Sequence, residues 1–166
     1  MANILGQKIK KHKLFFLGSL VAFLVAVSDL LSKKLIFAYL EGFYNKQIIV
    51  FDFFNLVQVL NRGVSFGMFN NLEEARLILS ILQMSIAVIL FFWLYNNQKL
   101  HFTYGLGFII GGALGNAIDR IKNGAVADFL DFHIASYHWP AFNLADSFVF
   151  IGVFILLFDD IFFKNK

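Results

Sequence analysis

The chain has 166 residues, of which 59% are hydrophobic, 15% are charged and none is cysteine, and its formal net charge is +3. An apolar share above the roughly half expected of a soluble domain marks a membrane protein, and the lack of cysteine excludes disulfides, thiolate metal sites and a cysteine nucleophile. The basic residues cluster at Lys8, Lys10, Lys11 and Lys13 and again at Lys164 and Lys166, a pattern of cytoplasmic flanks and not of a nucleic-acid surface.

A helix needs roughly 20 apolar residues to cross the hydrocarbon core. The first such segment covers about residues 14–31. Its upstream lysines and Ala26-Val27-Ser28 imitate a signal peptide with a cleavage site. The apolar run, however, continues straight into Asp29 and Lys33, and three more spans follow. Next comes a long connection, about 44–69, in which Ile48–Leu60 (IIVFDFFNLVQVL) is rich in β-branched and aromatic residues with partial alternation. That predicts one or two strands lying on the membrane surface. The second span covers about 75–95, the third about 102–121 and the fourth about 144–163.

Lysine at both ends places both termini in the cytoplasm, which requires an even number of spans. The Asn96–His101 link is short and carries Lys99, so spans two and three make a cytoplasmic hairpin, and the other two connections lie on the outer side. Lys33, Lys34, Lys46 and Arg62 also fall there, an imperfection in the charge bias. The expected fold is an all-α membrane protein: one integral membrane domain over 1–166, four transmembrane helices, and a small outer-face β-rich segment between helices 1 and 2.

Polar residues stand out against this background. In span three Gly107, Gly111 and Gly115 recur every four residues on one helix face, the pattern of close helix packing through small residues. Asp119 continues that stripe, able to orient Arg120 or to brace the next span. Asn116 and Arg120, four apart, share a face and read either as a hydrogen-bonding platform at the outer membrane edge or as an interfacial arginine that snorkels. Asp29 and Lys33 are also four apart, acid first, the favourable order for a helical ion pair. That pair is either a helix-end feature or part of a site. Asn61-Arg62-Gly63-Val64-Ser65-Phe66-Gly67 reads, by itself, as a turn with glycine at positive φ.

The most informative residues are Asp128, in GAVADFLDF, and Asp146, in PAFNLADSFVFIG. An ionisable residue within or beside a span is a functional-site hypothesis by default. Two carboxylates brought together by one connection cannot easily both ionise, so they share a proton, the arrangement of an aspartic protease. Each has a plainer reading. Asp128 or its neighbour Asp131 can simply be solvated, and Asp146 can serve the first turn of a helix capped by Asn143. His133 and His138 with Asp131 match no common metal-ligand spacing, and no metal or other cofactor is expected. A small proton- or ion-coupled transporter is the alternative, since intramembrane acids also mark ion paths. It predicts acids strung through the bilayer or half-helices at midplane. Here the acids gather at one surface, and the only proline, Pro140, lies in a connection. A non-catalytic scaffold leaves the polar cluster unexplained.

Five blocks together resemble the lipoprotein signal peptidase (signal peptidase II) family: Asp29-x-x-x-Lys33; Asn61-x-Gly63-x-x-Phe66; Gly111-Gly112-x-x-Gly115-Asn116-x-x-Asp119-Arg120; Val126-x-Asp128-Phe129-x-x-Phe132; and Phe142-Asn143-x-Ala145-Asp146. They run in family order over nearly the whole chain. The resemblance implies an intramembrane aspartic endopeptidase of the bacterial cytoplasmic (inner) membrane. Such an enzyme removes the signal peptide from prolipoproteins by cleaving before a diacylglyceryl-modified cysteine. It implies Asp128 and Asp146 as the catalytic pair and prefers Asp128 to Asp131 through the Val-x-Asp-Phe frame. Asn61, Gly63, Asn116, Arg120 and Asn143 match positions lining the site, and Asp29 and Lys33 match the first motif. The implied partners are a lipid-modified prolipoprotein, membrane lipids and the cyclic peptide inhibitor globomycin, with no nucleic acid and a monomeric enzyme. Val64 and Ser65 depart from the small residues, often alanines, that follow Asn-x-Gly in many members.

Overall fold

The computed structural model describes residues 2–63, 72–97 and 99–162, so Val64, Ser65, Phe66, Lys164 and Lys166 lie outside the described residues. Four helices carry the chain: α1 (Ala2–Leu40), α2 (Leu72–Asn96), α3 (Leu100–Asn123) and α4 (Leu144–Phe162). Helix α1 runs well past the expected 14–31 at both ends, because nothing in NILGQKIKKHK or SKKLIFAYL breaks a helix. The sequence first turns at Glu41-Gly42. Residues Ile9–Leu40 and Arg76–Asn96 are each long and apolar enough to cross a membrane, and Leu144–Phe158 is a shorter apolar helix.

Helix α3 is richer in glycine and polar residues than its neighbours because it faces protein. It packs against each of the other three helices. Close approach comes from two glycine faces. A Cβ at Gly107 would lie 2.9 Å from the Gly18 carbonyl oxygen, and one at Gly111 would lie 2.5 Å from the Ala22 carbonyl oxygen, both on α1. On the other side a Cβ at Gly112 would lie 2.6 Å from the Ala145 carbonyl oxygen of α4. The glycine stripe therefore does what its spacing indicates, letting backbones meet where larger residues would hold them apart. Ala22, Ala87, Leu94, Leu106, Ile110 and Ala113 fill the buried core. Large apolar side chains such as Phe16, Ile89, Phe92, Phe150 and Leu157 point outward from α1, α2 and α4.

Replacing Gly111 with valine is expected to cost about 1–3 kcal/mol by overpacking the α1–α3 seam. Gly42→Ala is the control, since a Cβ there meets only the Tyr39 carbonyl oxygen at 3.8 Å. Thermal unfolding in detergent micelles should show Gly111→Val clearly lowered and Gly42→Ala close to the parent.

The connections build a sheet larger than the sequence predicts. Strands β1 (Gln47–Phe51) and β2 (Phe54–Asn61) fall inside the expected 44–69 segment, but β3 (Val126–Ile134) and β4 (Tyr137–His138) come from the second connection, between α3 and α4. The order is β1-β2-β3-β4, with antiparallel neighbours. The β-rich part is thus not confined to the stretch between helices 1 and 2. Val126–Ile134 escaped detection because it is largely buried and so lacks the polar alternation of a half-exposed strand. Between α2 and α3 the turn is tight: the Asn97 side chain donates to the Lys99 carbonyl at 2.7 Å and to Thr103 Oγ1 at 2.9 Å.

Candidate active site

Strand β3 delivers Asp128. Side chains alternate along a strand, so Asp128 and Asp131, three residues apart, point to opposite faces. Both are buried, so the plainer reading, in which one of them is simply solvated, does not hold. Asp131 accepts hydrogen bonds from Asn55 Nδ2 at 2.9 Å and from the His138 imidazole at 2.8 Å. Burial alone would raise its carboxyl, but those bonds outweigh it and hold Asp131 below the usual carboxylate range. Among the described residues no group of three or more His, Asp or Glu side chains is arranged to hold a metal, and the His133 and His138 rings instead stack at 4.7 Å.

Asp128 faces the helices. A register shift between Leu56 and Val59 in the β2–β3 ladder sets Val59 opposite Asp128 and Asn61 opposite Val126. Such bulges re-aim side chains beside sites. Asn61 Nδ2 then donates to Asp128 Oδ2 at 2.9 Å, while Asn61 Oδ1 accepts the Gly63 N–H at 2.8 Å. Gly63 takes φ 74°, the left-handed region that its turn needs.

Asp146 arrives from the other side. The segment after β4 returns to β3, where the Phe142 carbonyl accepts the Phe129 and Leu130 N–H groups at 3.0 and 2.9 Å. Helix α4 starts immediately afterwards. Asn143 Oδ1 accepts the Asp146 N–H at 3.0 Å, and Asp146 Oδ2 accepts the Asn143 N–H at 3.3 Å. This reciprocal capping box closes the helix start, as the capping reading of Asn143 and Asp146 anticipates. It leaves Asp146 Oδ1 to accept from Asn116 Nδ2 at 2.9 Å.

Two asparagines therefore link the two acids. Asn143 Nδ2 donates to Asp128 Oδ1 at 2.7 Å and to Asn116 Oδ1 at 3.2 Å, and Asn116 in turn holds Asp146. Burial pushes the Asp128 carboxyl up to about 6; the bonds from Asn61 and Asn143 oppose that, and the charge of Asp146 adds to it.

Beneath this layer lies a buried charge cluster. Lys33 Nζ sits 2.8 Å from Asp29 Oδ2 and 3.5 Å from Asp119 Oδ2, and it donates to Asn116 Oδ1 at 2.8 Å. The Asp29–Lys33 pair is not at a helix end, since α1 continues to Leu40, and both residues are buried. Asp29 Oδ1 accepts the Ala145 N–H at 2.9 Å. Asp119 accepts from Asn123 Nδ2 at 2.5 Å and from the Ala127 N–H at 2.7 Å, so it braces the start of β3 and does not orient Arg120. Gly124, in the left-handed region at φ 75°, ends α3 just beyond.

Arg120 follows Asn116 by four residues in the unbroken α3, on the same face, and feels the charges of Asp128 and Asp146. Its Nη1 donates to Gln83 Oε1 of α2 at 2.6 Å, its buried Nε–H has no hydrogen-bond partner among the described residues, and a Cβ at Gly63 would lie 3.6 Å from Nη2. Gln83 was missed at the sequence level. The available signal was an amide in the middle of LILSILQMSIAVIL, where the only other polar residues are Ser80 and Ser85.

The chain is similar to known proteins in sequence and in fold. The family model described as signal peptidase (SPase) II matches residues 21–162. The chain is similar to a lipoprotein signal peptidase of Anaplasma phagocytophilum (strain HZ), 39% identical over 143 residues, covering 85% of this chain and 89% of that protein. It is also similar to lipoprotein signal peptidases of Syntrophotalea carbinolica, at 42% identity over 83% of this chain and 86% of the relative, and of Francisella tularensis subsp. novicida (strain U112), at 36% identity over 99% of both. Among solved structures, a bacterial membrane enzyme determined by the in meso method superposes with a TM-score of 0.73 at 26% identity, covering 90% of this chain and 94% of that one.

Proposed function

The chain belongs to the signal peptidase II family, a family of membrane proteases that process lipoproteins, and from that premise we propose that it is an intramembrane aspartic endopeptidase with Asp128 and Asp146 as its catalytic pair. Its substrate is a bacterial prolipoprotein, cut on the N-terminal side of a diacylglyceryl-modified cysteine. The observation that carries this reading is the bridge Asp128–Asn143–Asn116–Asp146, which holds two carboxyl groups in one polar cluster at the end of an otherwise apolar bundle. All four helices span the inner membrane, both termini are cytoplasmic, and the sheet and acids lie at the outer face.

The chemistry follows from the environments of the two acids. Asp146, at the positive end of the α4 dipole, is the base. It takes a proton from a water molecule, whose oxygen attacks the scissile carbonyl carbon. Asp128, in the protonated form that burial favours, donates a hydrogen bond to the carbonyl oxygen as negative charge develops there. When the C–N bond breaks, the proton passes to the departing amine. Arg120, with one buried N–H unpartnered among the described residues, and Asn61, at the end of β2, hold the substrate backbone. Pairing with a sheet edge gives a grip tolerant of sequence. Globomycin competes for the same cleft, and the enzyme acts as a monomer.

A transporter would string its acids along the bilayer. Here Asn116, Asp119 and Arg120 fall near the end of α3, and Asp146 in the first turn of α4. Cleavage of a synthetic lipopeptide by the purified enzyme, beside proton or ion flux in proteoliposomes, separates the two readings; flux without cleavage would overturn the protease.

The pH profile carries the sign of Asp128. With its carboxyl near 6, the proton it must donate is present below that value and lost above it. The alkaline limb of kcat/KM is expected to fall with a midpoint close to 6, approaching tenfold per pH unit beyond it. A profile that rises from pH 6 to 8 would reassign the acid.

A further inference from the structure

Helix α3 begins just after Asn96, the last residue of α2, and ends beside the paired acids, so the C-terminal end of α2 lies at the far end of the bundle from the proposed reaction. There an apolar groove of about 420 Å³ runs between α1 and α2, lined by Phe15, Val88, Phe91, Phe92 and Tyr95, within the usual size range of a ligand site. The four α2 residues are spaced i, i+3, i+4 and i+7, so they form one stripe about 10 Å long. Phe15 closes the groove from α1, its ring 6.2 Å from that of Phe91 and 5.4 Å from that of Tyr95. Val88 and Phe92 are exposed, so the groove opens to the outside of the bundle.

A cation stands at one end of the stripe. Lys11, one helical turn before Phe15, places Nζ 4.2 Å from the centroid of the Tyr95 ring. Asn96 Nδ2 donates to the Phe92 carbonyl at 3.1 Å, which leaves Asn96 Oδ1 to accept from Lys11 Nζ at 3.1 Å. Among the described residues, then, Lys11 has only neutral partners. The stretches 1–28 and 75–118 contain no Asp or Glu, so neither wall of the groove supplies an anion.

We propose that this groove binds one anionic phospholipid, with its phosphodiester on Lys11 and an acyl chain along the Val88–Tyr95 stripe. A lysine ammonium has three N–H donors, of which Asn96 engages one, and a phosphate oxygen takes another as a charge-assisted bond. Bilayer hydrocarbon is as apolar as the stripe, so the acyl chain gives fit and the head group gives selectivity. A lysine near an anionic lipid surface is worth about fivefold in affinity. Tyr95 lies at the level of the charge, as interfacial aromatic residues do. The leading segment of a signal peptide is basic, so the substrate peptide is repelled from this end. Because the lipid bridges α1 and α2, binding it stabilises the folded chain. The site stands apart from the acids and does not depend on the protease reading.

Native mass spectrometry of the purified full chain in a neutral detergent, with equal amounts of dioleoyl phosphatidylglycerol and dioleoyl phosphatidylcholine, reads the selectivity. One phosphatidylglycerol is expected to be retained about fivefold or more over phosphatidylcholine, and to raise the thermal unfolding midpoint. Lys11→Gln should erase both effects, and Lys11→Arg, which keeps the charge, should preserve them. Lys10→Gln and Lys13→Gln remove the same charge from other sides of α1 and should leave the preference within about twofold. Val88→Trp, which fills the groove, should release phosphatidylglycerol although Lys11 is intact. Equal loss in all three glutamine variants would overturn the site and leave a diffuse basic surface. A lipid-free dimer that Val88→Trp breaks would overturn it in favour of a second copy of the chain.

Discussion

Asp128→Asn and Asp146→Asn are each expected to lower lipopeptide cleavage by about 10³-fold or more while leaving lipopeptide binding within a few fold. The amide keeps the size of the carboxyl but can neither release nor accept the proton on which the step depends, and such groups typically contribute 10²–10⁴-fold. The two losses should not add, because acid and base act as one unit. Asp131→Asn is the informative control. Asp131 lies on the same strand and is also buried, but its partners are Asn55 and His138 on the opposite face. It should lose some stability and keep cleavage within a few fold. Full activity in either of the first two variants, or an inactive but folded Asp131→Asn, would show that the wrong carboxylates had been chosen. Binding to immobilised lipopeptide separates a dead catalyst from an unfolded one.

Lys33→Met should be the most destabilising single substitution near the site. Lys33 is buried between Asp29 at 2.8 Å and Asp119 at 3.5 Å. The space is closed as well as charged, since a Cβ at Gly115 would lie 2.6 Å from Asp29 Oδ2. Removing the cation leaves two buried acids without their counter-charge, a change that typically costs about 3–5 kcal/mol. Replacing both members of the pair, as in Asp29→Asn with Lys33→Met, should recover part of that loss, because only one buried acid, Asp119, is then left without its counter-charge. A double-mutant cycle on thermal unfolding in micelles reads this directly. A cost below about 1 kcal/mol for Lys33→Met, or a double variant worse than the sum of the singles, would mean that the pair is not a coupled buried charge.

The helices were legible in the sequence because a bilayer demands long apolar runs, and the glycine stripe because helix periodicity is rigid. Less legible was anything set by tertiary pairing. Val126–Ile134 reads as an ambiguous apolar stretch, and once it is known to be a strand, its period of two separates Asp128 from Asp131. That choice otherwise needed the family resemblance. The Asn143–Asp146 cap was readable because capping is local. The long-range partners, Lys33 to Asn116, Asn61 to Asp128 and Arg120 to Gln83, are 83, 67 and 37 residues apart, distances over which no local pattern reports.

The two acids ride on different parts of the architecture, Asp128 on the sheet and Asp146 on the first turn of α4, and the seam between those parts is the short pairing of Phe142 with β3. Catalytic alignment is therefore a mechanical tolerance as well as a chemical one. A tilt of α4 against the sheet changes the gap between the acids without altering any residue in the site. On the proposed topology, a bilayer too thin or too thick for α4 is expected to bias such tilts and slow cleavage, so that the host membrane would act as part of the catalyst's frame.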